Sequence, residues 1–311
     1  MNHKIPDTQV NAWILSAAVG PILSVVGHNG WTTTLIVAVA TGALSVCMLS
    51  CRLLRLPRWL CVLELMWLTV FLGGIGETAG TCWPSSGTFP TISIVLLLLA
   101  VLATSRGSVP AARTGATLIW VIIPVLCITA IAGIADVTPT WIRMELEAPD
   151  GMLIGLLFTP CLCAFLPRAK TGSERSSALI LGMIAVISAV LLDGIMGATA
   201  AAQASNSFYM FSKSIHLFGF AERFEALVAC ALTGSWFAMF VLILSVAGHL
   251  SEEISPGAGK YSIWVVAAVS GVLMYISPKG GEWIGVGALI FWGFLPVAAQ
   301  GIVGAKNIEK K

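Results

Sequence analysis

Charged residues are scarce in this sequence, and their scarcity excludes an ordinary water-soluble domain. Only 10% of the 311 residues are charged, whereas 57% are hydrophobic. A soluble domain carries about 25% charged residues, so this chain has too few to cover a surface exposed to water. Apolar runs of about 20 residues recur at short intervals, and that length crosses a hydrocarbon core about 30 Å thick. The composition therefore predicts a single transmembrane domain over residues 1–311.

Motifs for catalysis, metal binding or disulfide formation are also lacking. Seven of the eight cysteines lie in apolar runs, where cysteine behaves as a small hydrophobic residue, and Cys82 lies in a loop. Cys161 and Cys163 are two positions apart with no histidine nearby, which is poor spacing for a metal site. The four histidines lie in terminal or loop regions, and no Ser/His/Asp arrangement or phosphate-binding loop is found. We expect neither an enzyme nor a metal or cofactor site.

The apolar segments predict about ten transmembrane helices. Their expected ranges are 10–26, 31–51, 59–78, 90–105, 114–135, 151–165, 176–196, 222–248, 262–276 and 283–302. Lys and Arg are enriched in the cytoplasmic loops of membrane proteins. With the N-terminus in the cytosol, 13 of the 17 basic residues lie on the cytosolic side, and the outer segments hold only Arg143, Lys213, Arg223 and Lys279. Both termini are therefore expected in the cytosol. Because the basic residues are scattered among short loops, we expect no nucleic acid as a partner.

Proline occurs inside two of the short predicted helices. Helix 1 contains Gly20-Pro21, and helix 6 contains Thr159-Pro160. A proline removes a backbone hydrogen bond, and inside a membrane the freed groups must be satisfied by protein, water or ligand. Helices 1 and 6 begin the two five-helix halves, 1–136 and 137–311, and broken helices at matching positions indicate a binding site near the midplane. An odd number of helices in each half makes the repeats inverted. The alternative is that the prolines only kink the helices.

Acidic residues inside the membrane are costly and are functional candidates. Glu64 lies about two turns into predicted helix 3 and is the most deeply placed carboxylate. Asp193 lies near the outer end of helix 7, and Glu225 lies near the start of helix 8. We expect these three carboxylates to bind a ligand or a proton. The alternatives are a paired structural role for Glu64, contact with headgroups or water for Asp193, and a solvated helix start for Glu225.

The longest outer segment, 197–221, contains an amphipathic aromatic stretch at 208–211. One interpretation is a lid that folds over an outward-facing vestibule. The other is an aromatic segment that lies at the membrane interface.

Four short motifs occur in a fixed order relative to the predicted helices. They are Lys4-Ile5-Pro6-Asp7-Thr8-Gln9 before helix 1, Asn29-Gly30-Trp31 before helix 2, Ser105-Arg106-Gly107 with Arg113 after helix 4, and Glu222-Arg223-Phe224-Glu225 at helix 8. In these motifs and in its ten-helix layout, the chain resembles the endospore germination permease family, the B subunits of spore germinant receptors. That family belongs to the amino acid–polyamine–organocation superfamily of transporters. The chain differs from the family's usual pattern at Pro6, where the family has Ser.

The resemblance implies a two-repeat fold with broken helices 1 and 6 and a small nutrient, such as an amino acid, bound near the midplane. The ligand would meet backbone groups of both broken helices, around Ser16, Gly20, Pro21, Phe158, Thr159 and Pro160. The resemblance also implies A and C partner subunits, the spore inner membrane as location, and Arg223 with Glu225 as a family signature.

Two other functions are open at this point. One is a proton- or sodium-coupled amino-acid transporter, in which Glu64 or Asp193 would be the proton site. The other is a structural membrane scaffold that binds no ligand. The sequence does not separate a sensor from a transporter, because both would have the same fold and the same pocket.

Overall fold

Helices form the body of the protein. The computed structural model describes residues 5–50, 57–80, 89–142, 144, 146–166, 174–214, 224–276 and 282–299. The first half contains α1 Asp7–Val25, α2 Trp31–Ser50, α3 Arg58–Gly80, α4 Phe89–Ser105 and α5 Ser108–Ile134. The second half contains α6 Gly151–Leu157, α7 Glu174–Met196, α8 Ala198–Gln203, α9 Ser207–Ser214, α10 Phe224–Ile254, α11 Gly259–Ile276 and α12 Glu282–Ala288.

Four shorter segments have other helical geometry. Three are 3-10 helices, at Val26–His28, Pro139–Trp141 and Thr159–Phe165. The fourth is a π-helix at Leu289–Phe294, which directly follows α12. The described residues contain no β-strand.

Among the described residues, fewer helices have membrane-spanning length than the ten that hydropathy predicts. Eight helices are long and apolar enough to cross a membrane, counting Asp7–His28 and Glu282–Ala299 as continuous spans. The other two predicted helices correspond to α4, which has 17 residues, and to the segment 151–165. The chain is an all-α polytopic membrane protein.

The helices α1 and α10 lie at the centre of the bundle. Within their most apolar stretches, 83% of α1 and 72% of α10 are buried, compared with 22% of α5. α1 packs against α5, α7 and α10, and α10 also packs against α3, α4 and α11. The outer helices direct large apolar side chains outward, such as Trp120 and Ile131 on α5. Such a surface suits contact with lipid.

The two helices with predicted breaks differ in their backbone geometry. The prediction that helix 1 is broken is wrong, because α1 continues as an α-helix through Pro21 to Val25. The predicted interruption of helix 6 is confirmed, because α6 ends at Leu157 and Thr159–Phe165 continues as a 3-10 helix. Stretches of 3-10 helix longer than about four residues are uncommon, and inside a helix they often mark a hinge.

Candidate functional site

Ser235 of α10 inserts its hydroxyl into the backbone of α1 at the predicted ligand position. The Ser235 Oγ accepts a hydrogen bond from the Gly20 N–H at 2.8 Å and donates one to the Ser16 carbonyl. A regular α-helix would pair these two backbone groups with each other. Pro21 has no N–H, and the Ala17 carbonyl that it leaves lies 3.4 Å from the same hydroxyl. α1 therefore stays helical through its proline because a neighbouring helix satisfies the backbone groups.

Further hydrogen bonds connect this part of α1 to α5 and to the α8–α9 junction. The Ser16 Oγ donates to the Gly115 carbonyl of α5 at 2.7 Å. The Ser24 Oγ donates to the Gly20 carbonyl at 2.9 Å, and the Asn206 side-chain amide donates to Ser24 at 3.2 Å. A polar connection thus extends from the junction of α8 and α9 to the middle of α1.

Helix 6 presents its predicted site residues where the backbone changes from α to 3-10 geometry. Phe158, Thr159 and Pro160 are all buried. The Thr159 Oγ1 donates to the Leu156 carbonyl at 2.5 Å, and the Cys161 N–H donates to the Phe158 carbonyl at 2.9 Å. These residues therefore lie at an irregular point of the buried backbone, and the Thr159 hydroxyl is bonded within its own helix.

The adjoining ends of helices 1 and 6 are held together by residues that the sequence analysis missed. Asp150 caps α6 by accepting a hydrogen bond from the Met152 N–H at 2.9 Å. The Asp150 N–H donates to the Asn29 side chain at 2.7 Å, and its carboxylate lies 3.4 Å from the His28 Nδ1. α1 also packs directly against α6 and the 3-10 helix that follows it. The signal in the sequence was an Asp directly before an apolar run, which is typical of a helix start.

Glu64 lies in the interior on α3, and its side chain is fully buried. Neither carboxyl oxygen has a hydrogen-bond partner among the described residues. The Trp292 indole lies beside the carboxyl, yet its N–H does not reach hydrogen-bond geometry with it. Burying an unpaired carboxylate costs free energy, and unsatisfied buried groups are rare in native proteins. The Glu64 carboxyl is therefore suited to bind a proton or a cation.

Five aromatic residues surround this part of α3 and form what we term the aromatic cluster. Trp67 stacks on Phe291 with ring centres 5.2 Å apart, and Phe71 meets Trp292 edge-on at 4.7 Å. Trp283 meets Trp67 edge-on at 6.2 Å. The three indole N–H groups have no partner among the described residues. Phe291 and Trp292 belong to the π-helix, a geometry that is frequent at functional sites.

The aromatic cluster also touches helix 6. A Cβ added at Gly155 of α6 would lie 3.0 Å from the Phe71 ring and 2.9 Å from the Ile284 side chain of α12. The backbone of α6 therefore lies directly against α3 and α12. Gly155 is about one turn before Phe158. Glu64, the aromatic cluster and α6 thus belong to one region of the core, and the irregular part of helix 6 begins about one turn further along the chain.

Asp193 and Glu225 are not brought to Glu64. The buried Asp193 carboxylate accepts a hydrogen bond at 2.9 Å from the Trp31 N–H, at the start of α2. A carboxylate at this position stabilises a helix by capping it and by interacting with the helix dipole. Glu225 is half-buried in the first turn of α10. Arg223, the other signature residue, lies outside the described residues.

The aromatic stretch 208–211 belongs to α9, which covers one end of the bundle. Phe208, Tyr209 and Phe211 are buried, and Met210 is exposed. α9 packs against α1, α7 and α10. Three buried rings favour the interpretation as a cover over the interpretation as an interfacial segment. The rest of the predicted lid, at 215–221, lies outside the described residues.

Comparison of the chain with protein-family models gives no match, and a search of curated proteins gives no significant match either. Function is therefore inferred from the buried groups themselves and from the sequence motifs.

Proposed function

We propose that the chain binds a small nutrient with an amino group, such as an amino acid, inside the membrane. It would signal this binding by a conformational change, as the B subunit of a spore germinant receptor does. The observation that carries the proposal is the buried Glu64 carboxyl without a hydrogen-bond partner among the described residues, next to the aromatic cluster. Ionisable residues buried in a membrane bundle mark binding sites and ion pathways.

The chemistry of this region suits an ammonium group. An ammonium pairs with a carboxylate, and the faces of Trp and Phe rings attract cations. About one turn from the contact of Gly155 with the aromatic cluster, the backbone of helix 6 becomes irregular at Thr159-Pro160, and such discontinuous helices bind substrates in transporters. An amino acid carries both the ammonium that Glu64 would bind and a carboxylate for backbone N–H groups.

The proposal also includes the finer features that the resemblance implies. The halves 1–136 and 137–311 would be inverted repeats, and both termini would lie in the cytosol. The protein would lie in the spore inner membrane with A and C subunits as partners. The four motifs and the distribution of basic residues support this part of the proposal.

A proton- or sodium-coupled amino-acid transporter is the second candidate, and the same carboxyl favours it. A buried carboxyl without a protein partner is suited to take up and release a proton during a transport cycle. The two candidates differ in outcome rather than in the site. A receptor binds its ligand without accumulating it, whereas a coupled transporter concentrates it across the membrane.

The test is binding and uptake of a labelled amino-acid panel by the purified protein in sealed liposomes, with and without a proton or sodium gradient. The variants are Glu64→Gln and, as a matched control, Glu77→Gln at the half-buried far end of α3. We expect Glu64→Gln to weaken binding at least about tenfold, which corresponds to about 1.4 kcal/mol. We expect Glu77→Gln to bind like the wild type.

Three results separate the possibilities. Saturable binding that depends on Glu64, without accumulation, supports the receptor. Accumulation that depends on the gradient and on Glu64 supports the transporter. Equal binding by wild type and Glu64→Gln, or no binding of any panel member, contradicts both proposals.

A further inference from the structure

A separate pocket lies at the end of the bundle where α4 turns into α5 and α10 turns into α11. Its volume is about 300 Å³, which is at the lower end of ligand-binding pockets. Four of its residues, Ser245, Gly248, His249 and Glu252, recur at helical spacing and therefore lie on one face of α10. The opposite wall comes from the α4–α5 turn and from the start of α11. We term this site the turn pocket.

Ser245 gives the turn pocket a buried polar group that the protein does not satisfy. Ser245 is only 3% exposed, and its Oγ has no hydrogen-bond partner among the described residues. Nearby hydroxyls behave differently, since Thr104 donates to the Ala100 carbonyl at 2.7 Å and Ser251 donates to the Ala247 carbonyl at 2.9 Å. The Ser245 hydroxyl therefore remains available to a ligand in the pocket that it lines.

The charge of the lining is positive. Arg106 and Lys260 line the pocket, are exposed, and form no ion pair with any described residue. The lining contains one carboxylate, Glu252, and backbone groups already use both of its oxygens. They accept hydrogen bonds from the N–H groups of Gly257 at 2.8 Å and Gly259 at 3.2 Å. The two cations are therefore available to an anion.

Two helix starts also converge on the turn pocket. α5 has 27 residues and begins at Ser108, and α11 has 18 residues and begins at Gly259. Both of these first residues line the pocket. Close packing places α11 here, because a Cβ at Gly259 would lie 2.8 Å from the Gly248 carbonyl of α10. The N-terminus of a helix carries partial positive charge and unpaired N–H groups, which favour anions. At α11 the Gly259 N–H already donates to Glu252, whereas the start of α5 has no side-chain cap, so an anion can use the start of α5.

From these four features we infer that the turn pocket binds an anion that carries a phosphate group. Arg side chains, a hydroxyl and helix N-termini are the groups by which proteins bind phosphate. The pocket lies at the end of a membrane bundle, so the headgroup of an anionic phospholipid in that leaflet can reach it. A soluble phosphate compound has the same chemistry, and the experiment below distinguishes the two sources.

The experiment measures phosphate and lipid binding by the full chain in detergent. One probe is phosphatidylglycerol, titrated against phosphatidylcholine and followed by native mass spectrometry. The other probe is inorganic phosphate, followed by titration calorimetry. The test variant is Arg106→Gln with Lys260→Gln. The control variant is Arg58→Gln with Arg113→Gln, which removes the same charge from exposed residues that do not line the pocket.

We expect the test variant to lose at least about tenfold in affinity for the probe that binds, because each cation near an anionic headgroup contributes about fivefold. The control variant should lose less than about twofold in affinity for the same probe. Ser245→Ala keeps all charges and should weaken binding of the probe a few fold. It is an independent test of the pocket if the double variant does not fold.

The two probes identify the source of the phosphate. Loss of phosphatidylglycerol retention alone indicates a lipid headgroup, and loss of inorganic phosphate binding indicates a soluble compound. The inference is overturned if neither probe binds the wild type. It is also overturned if the test and control variants lose the same affinity, or if Ser245→Ala and the test variant both bind like the wild type.

Discussion

The contact between Gly20 and Ser235 gives the sharpest prediction about the core. A Cβ added at Gly20 would lie 2.7 Å from the Ser235 Oγ, closer still to the Ser235 Cβ, and 3.2 Å from the Leu232 carbonyl. Non-bonded carbon atoms normally lie about 3.5–4.0 Å apart. Gly20→Ala therefore forces α1 and α10 apart at their contact, and it also disturbs the Ser235 hydroxyl that joins Gly20 to Ser16.

The expected cost follows from these two effects. Overpacking a core costs about 1–3 kcal/mol, and each hydrogen bond lost costs about 1 kcal/mol. We expect Gly20→Ala to lower the free energy of unfolding by about 2–4 kcal/mol, measured by reversible SDS titration in mixed micelles with tryptophan fluorescence. Gly42→Ala is the matched control, because a Cβ there would meet no atom within 4 Å. It should be neutral or stabilising by up to about 1 kcal/mol.

A double-mutant cycle tests whether the cost of Gly20→Ala arises from the contact with Ser235. Ser235→Gly removes both the Cβ and the hydroxyl that the new methyl group would meet. Gly20→Ala should therefore cost about 1–3 kcal/mol less in the Ser235→Gly background than in the wild type. The reasoning is refuted if Gly20→Ala is as mild as Gly42→Ala, or if its cost is the same in both backgrounds.

Two further predictions test the capping of α2 and the burial of helix 6. Asp193→Ala should lower the free energy of unfolding by about 1 kcal/mol in the same titration, because the start of α2 loses its cap, whereas Asp136→Ala at an exposed position should change it little. Equal effects of the two substitutions would contradict the capping role. Cys161 and Cys163 are buried and Cys47 is exposed, so a membrane-permeable maleimide should modify Cys47 at least about ten times faster, as followed at each site by mass spectrometry. Comparable rates would show that helix 6 is not enclosed as described.

Features that depend on local sequence could be predicted, whereas features that depend on contacts between distant residues could not. Hydropathy located the helical segments because lipid demands long apolar runs, and Glu64 stood out because a carboxylate in such a run is costly. Ser235 had no such signal, since its partner Gly20 is 215 positions away and serine is common in membrane helices. The error over Pro21 has the same cause. The proline predicted freed backbone groups, but only the packing of α10 showed that a protein hydroxyl satisfies them.

The Gly20 N–H already donates to the Ser235 hydroxyl, and this restricts how a ligand can bind to helix 1. A ligand carboxylate that bonded to the Gly20 N–H would have to displace the Ser235 hydroxyl. It would gain a charge-assisted hydrogen bond, worth about 1.5–3 kcal/mol, and lose neutral bonds of about 1 kcal/mol each, so the exchange comes out near zero. An ammonium at Glu64 displaces no described hydrogen-bond partner.

An ammonium at Glu64 and a carboxylate at Gly20 would therefore have different roles. Glu64 would supply the affinity for the ammonium, and the near-neutral exchange at Gly20 would decide whether Ser235 stays bonded to α1. A ligand shifts a conformational equilibrium only by its different affinities for the two states. A ligand that displaced the Ser235 hydroxyl would bind better to a state in which this hydroxyl no longer joins α1 and α10, and that preference would be such a difference. Under the proposed function, this contact would couple binding to a movement of α1 relative to α10.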